Sequence, residues 1–460
     1  MASIAKLVTF KFDGDFQRQG FRVTLEIGKD GDRPDLELSS TLPSNPELLQ
    51  QLHRWQQHYR SLEGATRIKP KAIVYQGSIN LVEACQQTAL ELSDRLQQWL
   101  TADSFRVLDL RLRESLNRDD SIRIVIRSAD PHIPYLPWHL WDLVERYPLA
   151  EVTLGAPTLE RIPQPITHSP VPPTVKILAI LGDSNGIDVE VDRQLLEALP
   201  DANVTFLVEP PRSLINDHLW DQPWHILFFA GHSHTQAGQG CIAINPHDNL
   251  TLAELKYGLQ RAIAQGLQLA IFNSCDGMGL AHELEPLRLP QLILMREPVP
   301  DRIAQTFLTQ FLKAFSQGDS LYLAVRQARE RLQGLEREFP CASWLPCLYH
   351  ISAEPPLDWQ ALRYGSTLQL QPCIDVSRRN SQASQLPRIR AFRRNAPTRF
   401  THPTSNSSIA ITTPIVHYIS STDRPSAAAV DSIYYQSGDC RRSYRSAIAG
   451  TLAALGIECL

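Results

Sequence analysis

Between residues 175 and 297 the chain alternates short, almost wholly apolar runs with segments of helical period. The runs are "VKILAIL", "NVTFLVE", "HILFFAG", "LQLAIFN" and "QLILMRE". A strand that is apolar at successive positions is covered on both faces, so these five predict a parallel sheet between two helical layers. The connecting helices carry their own start signals. Thr251 and Glu254 form a capping box ahead of Leu252, Leu255, Leu259 and Ile263, which share one face. Asp301 is placed to cap a helix with Ile303, Phe307, Phe311 and Phe315 inward, and Asp319 to cap the next, with Leu321, Val325, Ala328 and Leu332 inward. The pattern predicts a doubly wound α/β domain over residues 172–353, closing near "CASWLPCLYHI".

Residues 1–165 read differently, as mixed α+β. "KLVTFKF" and "FRVTLEIG" predict paired strands across a glycine-containing turn, Glu47–Ser61 and Asn80–Leu100 predict helices, and "IRIVIRSAD" alternates as a strand before the aromatic turn "PYLPWHLWDLV". "RIPQPITHSPVPPTVK" separates the two regions, because such a proline density sustains neither a helix nor a central strand. From 357 to 460 the period is lost. From Asp375 on there are eleven Arg, no Lys and five acidic residues among Ser, Thr, Pro and Asn stretches, so this tail is expected to be disordered or to be a truncation or coding artefact.

Composition narrows the classes. At 460 residues and 43% hydrophobic, the chain is long enough for two or three domains with real cores. A net charge of −4 gives no global basic field, which argues against nucleic acid as a partner of the folded part. The start, "MASIAKLVTFKFDGDF", has no signal-peptide pattern and no run approaches the roughly 18 apolar residues of a membrane span, so a cytoplasmic location is the expectation. Eight scattered cysteines, with no CxxC pair, predict reduced thiols rather than a disulfide or zinc scaffold.

Two of the apolar runs stop at reactive side chains. "HILFFAG" leads into His232 and His234, and "LQLAIFN" into Cys275. In an open parallel sheet, ligands gather beyond the carboxyl ends of the strands. If the two strands are neighbours, about 4.8 Å apart, an imidazole and a thiol come within reach of one another. The imidazole can take the thiol proton, generating a thiolate nucleophile, and later return it to a leaving amine. Backbone N–H groups at Gly231, Ser233 and Cys275, among small neighbours, are candidates for an oxyanion hole. The alternative is a metal site of His232 and His234 with Cys241 or Cys275, for which a second close pair of ligands is lacking.

At these residues the sequence resembles the CHAT domain family, in the form common among cyanobacteria. The motifs that carry the resemblance are "LPWHLWD", "ILAILGDSNGIDVEVDRQLLEALP", "ILFFAGHS", "FNSCDG", "PVPDRIAQTFLTQFLKAFSQGDSLYLAVRQARERL" and "FPCASWLPCLY", spread over residues 1–356. The resemblance implies a caspase-like doubly wound, mainly parallel sheet with helices on both faces, preceded by an α+β subdomain like the non-catalytic one of separase-like members. It implies a cysteine endopeptidase with His232 as base and Cys275 as nucleophile, no cofactor and no metal, acting on a protein substrate under a protein activator in regulated signalling proteolysis. His234 matches no family role.

Three departures bear on those expectations. His139 follows Pro-Trp where the family usually has an acidic residue, and Ser233 stands where many members have Gly after the catalytic His. Asn273 stands where basic-specific relatives often carry Asp. Asp183, Asp188 and Asp276 are candidate acidic pocket residues, each with a cap or turn role as its plainer reading. A CHAT module that keeps the fold as a catalytically silent signalling or scaffold element is the alternative function.

Overall fold

The five apolar runs of the second region form the parallel half of one large sheet. The computed structural model describes residues 5–62, 79–160, 174–236, 239–274, 277–352 and 357–364. Its strands are β1 (Ala5–Asp15), β2 (Gly20–Lys29), β3 (Leu36–Leu42), β4 (Ser121–Ser128), β5 (Ala150–Glu160), β6 (Val175–Leu181), β7 (Ala202–Val208), β8 (Ile226–Ala230), β9 (Ser233–Gln236), β10 (Gln239–Asn245), β11 (Asp248–Thr251), β12 (Leu269–Asn273), β13 (Gln291–Met295) and β14 (Pro346–Ser352). The helices are α1 (Pro46–Arg60), α2 (Ile79–Leu100), α3 (Asp103–Ser115), α4 (Asp142–Arg146), α5 (Val189–Glu197), α6 (Arg212–Asp221), α7 (Lys256–Ala264), α8 (Met278–Leu284), α9 (Asp301–Ser316), α10 (Leu321–Leu332) and α11 (Trp359–Tyr364).

Eleven of these strands make a single sheet in the order β3-β2-β1-β4-β5-β14-β13-β12-β8-β6-β7, and β11-β10-β9 make a small second sheet. β1, β4, β5 and β14 are mutually parallel, as are β13, β12, β8, β6 and β7. The two parallel sets run in opposite directions and meet at the antiparallel pair β13–β14, where Ile293 lies opposite Leu348. The sheet is therefore continuous across the proline-rich stretch, whose residues 161–173 lie outside the described ones.

Chain order and sheet order diverge at one place that matters. From β6 the chain crosses to β7 on one side, then returns past β6 to β8, β12 and β13 on the other. Right-handed crossovers taken in opposite directions place their helices on opposite faces, as in any doubly wound sheet. The helices sort accordingly: α5 packs against α9 and α9 against α10, while α6 packs against α7. All five strands of this set except edge strand β7 are buried nearly throughout, which explains their unbroken apolar sequence.

Local signals held where they concerned spacing and shifted where they concerned caps. The Thr251–Glu254 capping box is present, but it opens a short 3₁₀ turn, Leu252–Leu255, before α7. Asp301 is the first residue of α9 rather than its cap, and its carboxylate accepts from the Gln305 side chain and the Asp188 N–H. Ser320 takes the capping position before α10, while Asp319 accepts from Gln327. The described chain also runs into the expected tail as α11, where Trp359 is buried edge-on against Phe315. Residues 365–460 lie outside the described ones.

Buried ion pairs join the two regions. Arg123 on β4 and Asp30 form a pair with almost no exposure, and the same guanidinium lies 3.2 Å from His350 on β14. Arg329 on α10 pairs with Glu151 on β5 at 2.8 Å, and Arg60 of α1 grips the buried Glu297 carboxylate through two nitrogens. Two-pronged guanidinium contacts of this kind fix orientation as well as neutralise charge. One contiguous apolar cluster runs through both regions.

Candidate active site

The switch point between β6 and β8 sets up the site. Where adjacent parallel strands feed crossovers in opposite directions, their carboxyl ends open a crevice between the two loops. Here the loops follow Leu181 and Ala230, and they are stitched together by backbone. Gly182 N donates to the Ala230 carbonyl at 2.8 Å, Asp183 N to the Ala243 carbonyl at 3.0 Å, and Ala243 N to the His232 carbonyl at 2.9 Å. The close approach demands glycine at 182: a Cβ there would sit 2.2 Å from the Ala243 oxygen. The small sheet β9–β11 thus braces the backbone of His232 from the side.

His232 is half-buried, and its Nε2 lies 2.9 Å from the Asn185 carbonyl oxygen. A carbonyl only accepts, so Nε2 carries the proton, and in the neutral ring Nδ1 keeps the lone pair. This bond fixes both the tautomer and the ring's orientation. Asn185 is itself placed by Asp183, whose carboxylate accepts from the Asn185 N–H at 3.0 Å. Asp183, expected as a pocket acid, is thus engaged in the turn that presents this carbonyl. Asp188 stands at the start of α5, where its N–H points to Asp301 at 3.4 Å and its carbonyl accepts from Gln305. Ser233 is buried and opposite Ile242 as β9 begins, and His234, opposite Cys241, is exposed.

β12 lies directly beside β8, parallel, with Asn273 opposite Ala230. Asn273 and Ser274 are fully buried. The Asn273 amide donates to Asp192 at 3.1 Å, tying the end of β12 to α5. The Ser274 hydroxyl has no hydrogen-bond partner among the described residues. Cys275 and Asp276, the expected nucleophile and pocket acid, lie outside those residues. On their far side the Gly277 N–H donates to the Met295 carbonyl at 3.1 Å, and a Cβ on Gly277 would lie 2.6 Å from Leu294 Cβ. Both flanks of residues 275–276 are therefore anchored, one to α5 and one to the end of β13.

Sequence reading missed Asn185 and Asp192. The first acts through its backbone carbonyl, which leaves no side-chain signature. The second had a signal: Asp192 lies with Val189 and Leu196 on the apolar stripe of α5, and a carboxylate on such a stripe asks for a buried partner. Among the described residues no three His, Cys, Asp or Glu side chains gather as a metal site requires, and no helix is long and apolar enough to cross a membrane. Cys85, Cys341 and Cys347 are buried without a disulfide.

A mostly parallel sheet with helices on both faces and a histidine poised at its switch point defines the class, a caspase-like α/β protein. Residues 90–366 match the family model described as CHAT domain, and the chain belongs to that family, which is related to caspase-like peptidases. No curated protein matches the chain.

Proposed function

We propose that this CHAT protein is a cysteine endopeptidase in which His232 is the general base and Cys275 the nucleophile. The observation that carries the reading is the bond from His232 Nε2 to the Asn185 carbonyl, at the end of a strand registered against the one that leads to Cys275. Ala230 and Asn273 are the last paired residues, and His232 and Cys275 each follow by two positions along the chain. With Nε2 committed to Asn185, Nδ1 is the atom left to take the thiol proton. The thiolate attacks a scissile carbonyl, the imidazolium returns its proton to the leaving amine, and water then releases the acyl group from sulfur. Backbone N–H groups at Gly231, Ser233 and Cys275 are the proposed oxyanion donors. Asp183, Asp188 and Asp276 are the acidic groups nearest the proposed substrate crevice along the chain, and residues 1–165 are proposed as the non-catalytic flank.

The substrate is proposed to be a protein cleaved under regulation by a protein activator, with the chemistry needing no metal or cofactor, and the setting is proposed to be cytoplasmic. Iodoacetamide labelling at neutral pH tests the dyad without knowledge of the substrate. Cys275 is expected to react several-fold faster than an ordinary thiol, because a lowered thiol pKa raises the thiolate fraction at neutral pH, and His232→Ala is expected to remove the advantage. New protein N-termini generated by the wild type and not by Cys275→Ala then identify the substrate. A thiol of ordinary reactivity, unchanged by His232→Ala, would favour the silent scaffold instead.

A further inference from the structure

A cavity of about 270 Å³ lies at the amino ends of β6 and β7, whereas the crevice opens at the carboxyl end of β6. Lys176, Asn203 and Thr205 form one wall of it. The parallel register sets Lys176 opposite Asn203, so the two share a face of the sheet, and alternation along β7 brings Thr205 to that face as well. The facing wall is His218 on α6 with Gln222, Pro223 and Trp224 in the turn that follows. Because β7 is the edge strand, the cavity sits at the rim of the sheet.

The frame of the cavity is fixed, while its polar side chains are uncommitted. The Lys176 N–H donates to His225 Nδ1 at 3.1 Å, and the Lys176 carbonyl accepts from the His225 N–H at 2.9 Å. The Trp224 indole N–H donates to the His218 carbonyl at 2.8 Å, and the two rings lie 6.2 Å apart. By contrast, the side chains of Lys176, Asn203, Thr205 and Gln222 make no hydrogen bond or ion pair among the described residues. No Asp or Glu lines the cavity, and Asp201, just before β7, is held by Arg363 at 2.9 Å. A preformed concavity with an aromatic wall and a few convergent polar groups is the character of a small-molecule site.

We propose that this cavity binds a small monocarboxylate with an apolar body. The Lys176 ammonium, the Thr205 hydroxyl and the Asn203 amide supply donors for the carboxylate, and Trp224 and Pro223 supply the surface for the body. Lys176 is the one permanently charged group in the lining, so it matches a single negative charge better than a phosphate dianion. The volume falls just below the range of about 300–1,000 Å³ that holds drug-sized ligands, which suits an occupant of the size of benzoate. The site does not depend on the chemistry proposed for His232 and Cys275.

The test is a titration of the full chain with sodium benzoate, read by saturation-transfer NMR on the benzoate protons. Benzoate is expected to bind with a Kd of about 1 mM or tighter. Benzamide, which keeps the ring and lacks the charge, is expected to bind at least about tenfold more weakly, as the loss of a charge-assisted hydrogen bond requires. Lys176→Met keeps most of the side-chain stem and is expected to weaken benzoate by a similar factor. Thr205→Val, whose β-branched shape suits a strand, is the second variant and is expected to weaken it about threefold with Tm little changed. Inorganic phosphate at equal concentration is expected not to displace benzoate. Absence of benzoate binding at about 10 mM, equal binding of benzamide, or affinity that survives both substitutions would each overturn the proposal. Displacement by phosphate would mark a phosphate site and overturn it as well. None of these readouts involves peptidase activity, so their failure leaves the reading of the dyad untouched.

Discussion

His225, in the loop before β8, shows how one buried side chain sets an acid limit. Its Nδ1 accepts from the Lys176 N–H at 3.1 Å, and burial, aided by the Lys176 charge, lowers its pKa to about 4. The folded state keeps it neutral while the unfolded chain protonates near 6.5. The stability it carries is therefore complete above pH 6.5, declines as pH falls, and is lost by about pH 4. The shift corresponds to at most about 3 kcal/mol. His225→Asn retains an acceptor without titrating, so its denaturant midpoint should depend less on pH across that window than the wild type's does. Asp192 matters in another way, as the buried acceptor for the Asn273 amide. Asp192→Ala is expected to cost about 1–3 kcal/mol in urea unfolding. It should also slow alkylation of Cys275 by loosening the strand end that precedes it.

Among the elements, the strands of the second region were legible because each is fully buried and short, so its whole sequence is apolar. β9, β10 and β11 were not, because they form a small sheet whose role is to brace a loop, and part of β9 faces solvent. β5 and β14 were also unread as sheet members. Buried Glu151, Thr153 and His350 interrupt their apolar pattern, and only their distant partners make those residues acceptable. The proposed pair His232 and Cys275 was read from two strand ends. Their positioning partners were not, because Asn185 acts through a carbonyl and Met295 through another. The Met295 bond yields a test at this scale. Gly277→Ala would push a Cβ to 2.6 Å from Leu294 and 2.7 Å from the Met295 oxygen, both backbone-anchored. It is expected to destabilise by about 1–3 kcal/mol, measured by thermal unfolding. Gly334→Ala, where a Cβ meets nothing within 4 Å, is the control and should be near neutral.

For the whole molecule, the continuous sheet carries the strongest consequence. Removing residues 1–165 would strip β14 of its partner β5, leave Arg329 and Glu297 without Glu151 and Arg60, and uncover the turn where Trp55 meets Trp344 at 5.0 Å. Residues 172–353 expressed alone are therefore expected to lack a cooperative thermal transition, whereas the full chain should show one for both regions, read by calorimetry. A sharp transition in the fragment at the temperature of the full chain would refute this coupling. Arg123→Ala should be among the most damaging single changes, about 3–5 kcal/mol, because it leaves Asp30 buried without its partner.

By itself the sequence determined the layered α/β class, the five parallel strands, the family resemblance and the two strand ends at which chemistry is proposed. Each is written in residues within a few positions of one another, where burial on both faces or the end of an apolar run leaves a local mark. Only the tertiary structure decided that both regions share one sheet, that β13 and β14 join opposed parallel sets, and that the Asn185 carbonyl orients His232. It alone also brought Arg329 to Glu151 and Arg60 to Glu297. Those outcomes depend on backbone groups and on charges more than a hundred residues apart, and neither a carbonyl nor a distant partner alters the local pattern of a sequence.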